Sequence, residues 1–203
     1  NIVSGSLNRL IDNKTSAAIG SNNFLEINDN SIISGLTNVT VSNQQVLVSG
    51  NLNDISDNTN SFINGRGNTA RGGKNDSILG KTNDILNSEN TLTTGLSNTV
   101  IGSTNTFTNG ETNTSELDMN SLISGKTNKS INTNQTHIFG KDNSSNDTNN
   151  SLISGLSNRD WDGSNNTVLG NIQDVSGSIN TLTSGLSNNV RTEENTFTSG
   201  QSN

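Results

Sequence analysis

Apolar residues in this chain come in short alternating runs, each closing on a glycine, and the runs return every fifteen residues. Ser151-Leu152-Ile153-Ser154-Gly155 is typical, and nearly the same letters recur as Ser31 to Gly35, Thr91 to Gly95 and Thr181 to Gly185. Fourteen glycines, from Gly5 to Gly200, keep this spacing of 15 without one insertion or deletion. A fixed short period is the mark of a repeat architecture. Nothing recurs at 3.6 residues and β-branched residues crowd the runs, so strands are expected and helices are not.

Positions are counted here from the glycine of each unit. In a strand, residues two apart share a face. At −3 and −1 every unit holds one large apolar side chain, never two and never none: Ile32/Ser34, Leu47/Ser49, Leu92/Thr94, Leu152/Ser154 and Leu182/Ser184 one way round, Ala17/Ile19, Ser77/Leu79, His137/Phe139 and Thr167/Leu169 the other. Such compensation is what a narrow packed interior demands, because cavities and overpacking each cost about 1–3 kcal/mol. The expectation is that −3 and −1 point inward while −4 and −2 point outward.

Asn stands at +3 in 13 of 14 units, with Gln173 the exception, and at −5 in ten of the 13 units that include that position. Two Asn-marked corners per unit are therefore expected, with glycine supplying positive φ or close approach at a corner. At +5, Leu10, Leu25, Ile55, Ile85, Val100, Val175 and Val190 supply a second, looser inward row, and Leu117, Ile131 or Trp161 could stand in where +5 is polar. Asn side chains repeated at one position can pair in ladders along the stack. The predicted fold is all-β: a parallel β-solenoid, or β-roll, of about 13–14 coils and some 60–65 Å in length at the usual strand spacing. The Lys141 to Asn149 stretch, with no apolar residue, is expected to be the softest coil.

Two families share these patterns. Asn98-Thr99-Val100-Ile101-Gly102 and Asn166-Thr167-Val168-Leu169-Gly170 resemble the Asn-x-Val-x-Gly units of grass ice-recrystallisation inhibitors. Asn120-Ser121-Leu122-Ile123-Ser124-Gly125 is similar to units of trimeric autotransporter adhesin heads. Both resemblances imply a left-handed β-roll. They depart in detail: adhesin heads favour 14-residue units with a large residue just before the glycine, which only Ile19, Leu79, Phe139 and Leu169 supply, and the grass rolls are shorter.

Composition narrows the function. With 26 % hydrophobic and 3 % aromatic residues the chain is too polar for a thick core, and only the strict period separates it from a disordered tract. No Cys is present, so disulfides and thiolate metal sites are excluded. A net charge of −7 with scattered basic residues argues against nucleic acid and anionic membrane as partners, and no run is long and apolar enough for a membrane span. The first and last units are ordinary repeats without caps, so residues 1–203 are expected to be one solenoid domain cut from a longer one.

Enzyme chemistry and cofactors are not expected. His137 is the only histidine and is read as a packed core residue, and carboxylates follow no register that would give periodic Ca²⁺ sites. Ten Asn-x-Ser/Thr sequons are what so Asn-rich a chain produces by chance. The candidate functional surface is the row taken to face outward at −4 and −2: Ile33, Val48, Ile63, Ile78, Thr91, Thr93, Thr106, Thr108, Ile123, Ile138, Ile153, Val168, Thr181, Thr183, Thr196 and Thr198. A flat, almost uncharged strip suits self-association into an extracellular fibre or adhesin shaft, with a cell-surface receptor as a further partner. Its Thr-x-Thr pairs suit the alternative, ice binding. The outward positions of the second strand, such as Arg9, Glu26, Asp54, Arg71 and Asp174, read as an ordinary solvated face. On this reading Leu92→Asp buries an unpaired charge and destabilises strongly, and Tyr at Thr93 and Thr183 abolishes any ice-growth inhibition.

Overall fold

The computed structural model describes residues 1–202 as an all-β, parallel solenoid of about 13 coils, fifteen residues each, with no helix among the described residues. Asn203, the last expected +3 asparagine, lies outside the described residues. The chain divides into two units, Asn1–Gly102 and Ser103–Asn203. The first holds seven five-residue strands alternating with seven three-residue strands, and the second holds seven and six. Within each unit every strand pairs with its counterpart fifteen residues on, in perfect register: Leu122↔His137↔Leu152, Ile123↔Ile138↔Ile153 and Gly125↔Gly140↔Gly155. A third, minimal side consists of single bridges at +9, as in Met119↔Asn134↔Asn149.

Each coil turns at three residues with left-handed φ, not at the two expected. In one coil they are Asn120 (φ 55°), Thr127 (φ 57°) and Asn132 (φ 52°), at −5, +2 and +7. Asn tolerates this conformation better than other side-chain-bearing residues, which accounts for its frequency at −5. The asparagine at +3 is not the corner itself. It is the first residue after one, and its side chain points into the coil.

The conserved-period glycine is not at a corner either. Gly125 sits inside the strand Leu122–Lys126 with φ 123°. A Cβ there would overlap the carbonyl oxygen of Gly140 and crowd the Asn128 amide, which donates to that same carbonyl at 2.9 Å. Glycine is required because the Asn side chain of its own coil and the backbone of the next both occupy the space a side chain would fill.

The interior is built from −4, −2, +3, +5 and +8. At −2, Ala18, Ile33, Val48, Ile63, Ile78, Ile123, Ile138, Ile153 and Val168 are wholly buried, and so are Leu25, Ile55, Ile85, Val100 and Val175 at +5. The +5 row behaves as expected. The strand with the glycine is turned over: −4 and −2 face the core, whereas −3 and −1 face out. Ile32 (48 % exposed) and Leu47 (40 %) lie on the outside, Leu152 and Leu182 are only half-buried, and His137 is exposed against the edge of the Phe139 ring. Trp161 and Leu117 are likewise exposed, not substitutes for a missing core residue.

A one-residue slip exchanges the two faces of a strand, so the pattern of sizes alone could not orient it. The deciding signal is uniformity. Position −2 is β-branched in every unit but Ala18's, whereas −3 accepts His137 and +1 accepts Arg66, Lys81, Glu111, Lys126 and Lys141. Side chains stacked directly above one another at the strand spacing must be alike in shape.

Adjacent residues now discriminate the two orientations. Ile153→Asp should cost about 4 kcal/mol or more by burying a charge, while Leu152→Asp should cost about 1 kcal/mol or less. Thermal unfolding of the two variants at low concentration checks this; equal losses would contradict the assigned faces.

Candidate functional site: the outward face of the long strands

The five-residue strands present −3, −1 and +1 outward. In the first unit this face carries Ile2, Ile19, Ile32, Leu47, Phe62, Leu79 and Leu92, one large apolar group per coil, with Leu36 and Leu96 beside them at +1. In the second unit Phe107, Leu122, Phe139, Leu152, Leu169, Leu182 and Phe197 do the same, with Leu156 and Leu186 at +1. Several are well exposed: Ile19 44 %, Leu36 47 %, Leu96 40 %, Leu156 39 %. No Asp, Glu, Lys or Arg occupies −3 or −1; the charges sit at +1, where Lys126 meets Glu111 at 3.1 Å. Because the large group switches between −3 and −1, the surface is a row of knobs and notches rather than a flat plane. Seven coils at the strand spacing give each unit a stripe of roughly 30 by 13 Å, about 400 Å².

The residues expected to form the functional strip are inside. Ile33, Val48, Ile63, Ile78, Ile123, Ile138, Ile153, Val168, Thr93, Thr108 and Thr183 have no exposed surface, and Thr91, Thr106 and Thr181 retain 3 %. Thr196 and Thr198 occupy the same inward register and are half-buried in the last described coil. A Thr-x-Thr array on those positions therefore meets core atoms, not solvent.

The interior is also more polar than expected, and it follows a rule of its own. Position +8 and the −4 position three residues later fill one space: Asn with Ser or Val (Asn28/Ser31, Asn43/Val46, Asn58/Ser61), Ser with Thr (Ser88/Thr91, Ser178/Thr181), Gly with Asp or Asn (Gly73/Asp76, Gly163/Asn166). A Cβ on Gly73 would strike the Asp76 carboxylate, and one on Gly163 would strike the Asn166 amide. Asp76, at a −4 position on the row expected to face outward, is thus a buried space-filler. Reading +8 against −4 would have revealed it.

Asp76 is one of three carboxylates held away from water. Its Oδ1 accepts from the Thr91 backbone N–H at 3.0 Å and the Thr91 hydroxyl at 2.8 Å, while Oδ2 meets no donor among the described residues. Burial pushes its pKa up to about 6, against the opposing effect of the Thr91 bonds. Asp118 and Asp160 are raised by burial too. Asp118 belongs to a hydroxyl network that replaces apolar packing at +5, accepting from Ser115 at 2.6 Å and Thr133 at 2.9 Å, with Ser130 and Thr133 2.8 Å apart. In the polar Lys141 to Asn149 stretch, Ser145 and Thr148 continue it at 2.5 Å.

The three-residue strands turn a mixed face outward, as expected. Arg71 pairs with Asp54 at 2.5 Å and Arg9 lies over the Phe24 ring at 5.6 Å. Among the described residues no group of three or more His, Cys, Asp or Glu side chains lies close enough to hold a metal ion, and no helix is long and apolar enough to cross a membrane. Sequons at +3, Asn38, Asn113, Asn128 and Asn143, are buried, whereas Asn75, Asn149 and Asn165 are exposed.

Fold and face define a parallel β-solenoid with an apolar outer stripe on each unit. No family model matches the chain, and no curated protein does. Among solved structures it is similar to a "putative acetyltransferase from Desulfovibrio desulfuricans G20", at 8 % identity and a TM-score of 0.20. That likeness covers 92 % of this chain, which spans 63 % of the other's length. A score so low carries no argument about chemistry.

The buried carboxylates set the pH dependence. Asp76, with a higher pKa folded than unfolded, holds its proton more tightly in the folded chain, so its contribution to stability is greatest below about pH 4 and is lost as pH rises through about 6. For Asp76 that loss is on the order of a few kcal/mol. Asp76→Asn, which copies the Asn166 arrangement, should raise the melting temperature at pH 7.5 and leave it nearly unchanged at pH 4. Equal effects at both pH values would contradict a buried, proton-binding Asp76.

Proposed function

We propose that this chain is a structural solenoid that associates with further copies of itself through the apolar stripe on its long strands, as part of an extracellular fibre or adhesin shaft. The observation carrying this reading is the one-per-coil rule at −3 and −1. Inside a protein such constancy needs no further cause, but these side chains face out. A surface left to solvent has no reason to carry one large apolar group at −3 or −1 in every coil while the charges are confined to +1. A partner that fills the notches and accepts the knobs does impose that rule.

The partner that fits best is a second copy. The knobs recur at the coil spacing, and only a partner with the same spacing can meet all of them without a growing mismatch. Each unit offers roughly 400 Å² per side, so one stripe packed on its counterpart buries about 800 Å² in all, the scale of a weak contact for a single unit. Ice binding through the Thr-x-Thr pairs has lost its surface, since those threonines point into the coil. An outer face of Leu, Ile and Phe with knobs and notches suits protein packing better than an ordered water lattice.

Analytical ultracentrifugation of the whole chain at micromolar concentration tests the proposal. A defined oligomer or filament is expected, dissociating by tenfold or more on changing Leu122 and Leu152 to Lys while the melting temperature of the dilute chain stays within a few degrees. A monomer throughout, or an oligomer indifferent to both substitutions, would refute it.

A further inference from the structure

On the second unit's three-residue strands, Arg159–Trp161, Asp174–Ser176 and Asn189–Arg191 lie side by side in register, so that Trp161, Ser176 and Arg191 form one row and Arg159, Asp174 and Asn189 the next. Asp160, Val175 and Val190 between the rows are buried, so both rows face solvent. Trp161, the only tryptophan in the chain, is 45 % exposed. It stands two coils from Arg191, about 9.5 Å at the strand spacing, with the short Ser176 as the floor between them. Arg159, Trp161, Asp174, Ser176 and Arg191 line an open groove of about 220 Å³.

An arginine–aromatic pair occurs elsewhere in a closed form. Arg9 and Phe24 are on neighbouring coils, and the guanidinium lies directly over the ring. At Trp161 and Arg191 one coil is interposed, which leaves a slot wide enough for one ring with a stacking distance on either side. Arg191 is held from beneath: its Nε donates to Asn189 Oδ1 at 3.1 Å and it stands 3.9 Å from Asp174. The rest of this side chain, 68 % exposed, faces solvent.

We propose that this slot binds a pyranose ring bearing a carboxylate, a uronic-acid unit of an acidic polysaccharide. The indole supplies a flat apolar wall for a sugar face. Arg159 and Arg191 supply guanidinium forks that match a carboxylate. Asp174 and Ser176 supply the acceptors and the donor that ring hydroxyls need. The site lies on a different side of the coil from the apolar stripe, so it does not depend on assembly.

Titration of the whole chain with a trigalacturonate tests the assignment, read by the fluorescence of the single tryptophan and independently by calorimetry. Saturable binding is expected, at least tenfold tighter than for maltotriose. Arg191→Gln should weaken it tenfold or more, and Ser176→Phe should abolish it by filling the slot. Position +6 accepts Leu86, Ile101 and Ile131 in other coils, so the Phe variant should retain the melting temperature. No heat and no fluorescence change at millimolar trigalacturonate, equal binding of maltotriose, tighter binding of a single-stranded oligonucleotide, or a Ser176→Phe variant that binds normally would each overturn the proposal.

Discussion

The structure depends on how the backbone stays hydrogen-bonded as it turns a corner. On either side of a corner the donors point opposite ways along the stack. Thr37 N–H donates back to Ser21 at 3.0 Å, and Val39 N–H donates forward to Asn53 at 2.9 Å. The residue between them, Asn38, has no carbonyl in line with its N–H. It donates instead to the side-chain oxygen of Asn23, one coil earlier, at 3.1 Å. The arrangement recurs after each of the three turns where the preceding coil supplies a side-chain oxygen: Asn28 N–H to Asn13, Asn68 N–H to Asn53, Thr91 N–H to Asp76, Thr133 N–H to Asp118. An unmet backbone donor in so thin an interior would cost about 1–3 kcal/mol each time.

Much of the composition follows. The first residue after a turn points inward and, apart from Val46, Gly73 and Gly163, carries an oxygen among the described residues, which is why Asn, Ser, Thr and Asp line a core that holds few large apolar groups. The +3 asparagine does most, because its amide also reaches the glycine carbonyl of the next coil, and that reach excludes a side chain on the glycine. Asn and Gly are thus one device at two positions. The apolar thread at −2 and +5 fills what space remains, and where +5 becomes Ser the hydroxyls of Ser115, Ser130 and Ser145 join the polar network instead of leaving voids.

The fold class, the coil length, the parallel stacking and the asparagine ladders were legible in the residues, because an unbroken period of 15 admits few other shapes. Ladders occur both inside, as Asn38 to Asn53, and on the exposed corners, as Asn150 to Asn165 at 3.0 Å. The orientation of the long strand was misread. Size compensation at −3 and −1 looks the same whether the constraint comes from a core or from a partner, and alternation of period two cannot tell them apart. The third turn was missed because +7 carries no single residue type: Asp57, Asn87, Leu117 and Thr192 all adopt left-handed φ there. The groove around Trp161 had no sequence signal, since its residues are up to 32 positions apart and share a surface only through the coil register.

With the apolar groups of −3 and −1 outside, the solenoid has two distinct kinds of exterior. The long strands offer a knobbed apolar stripe with its charges at +1, and the short strands offer charged and aromatic groups. Both rest on coils whose interior amides hold the register. Thermal unfolding of Asn68→Ala beside Asn75→Gly tests that foundation. Asn68 is buried and accepts from the Asn83 N–H at 3.0 Å, whereas Asn75 is an exposed corner bonded only along its ladder. A loss of about 2–4 kcal/mol for Asn68→Ala against less than about 1 kcal/mol for Asn75→Gly is predicted; equally small losses would contradict the account.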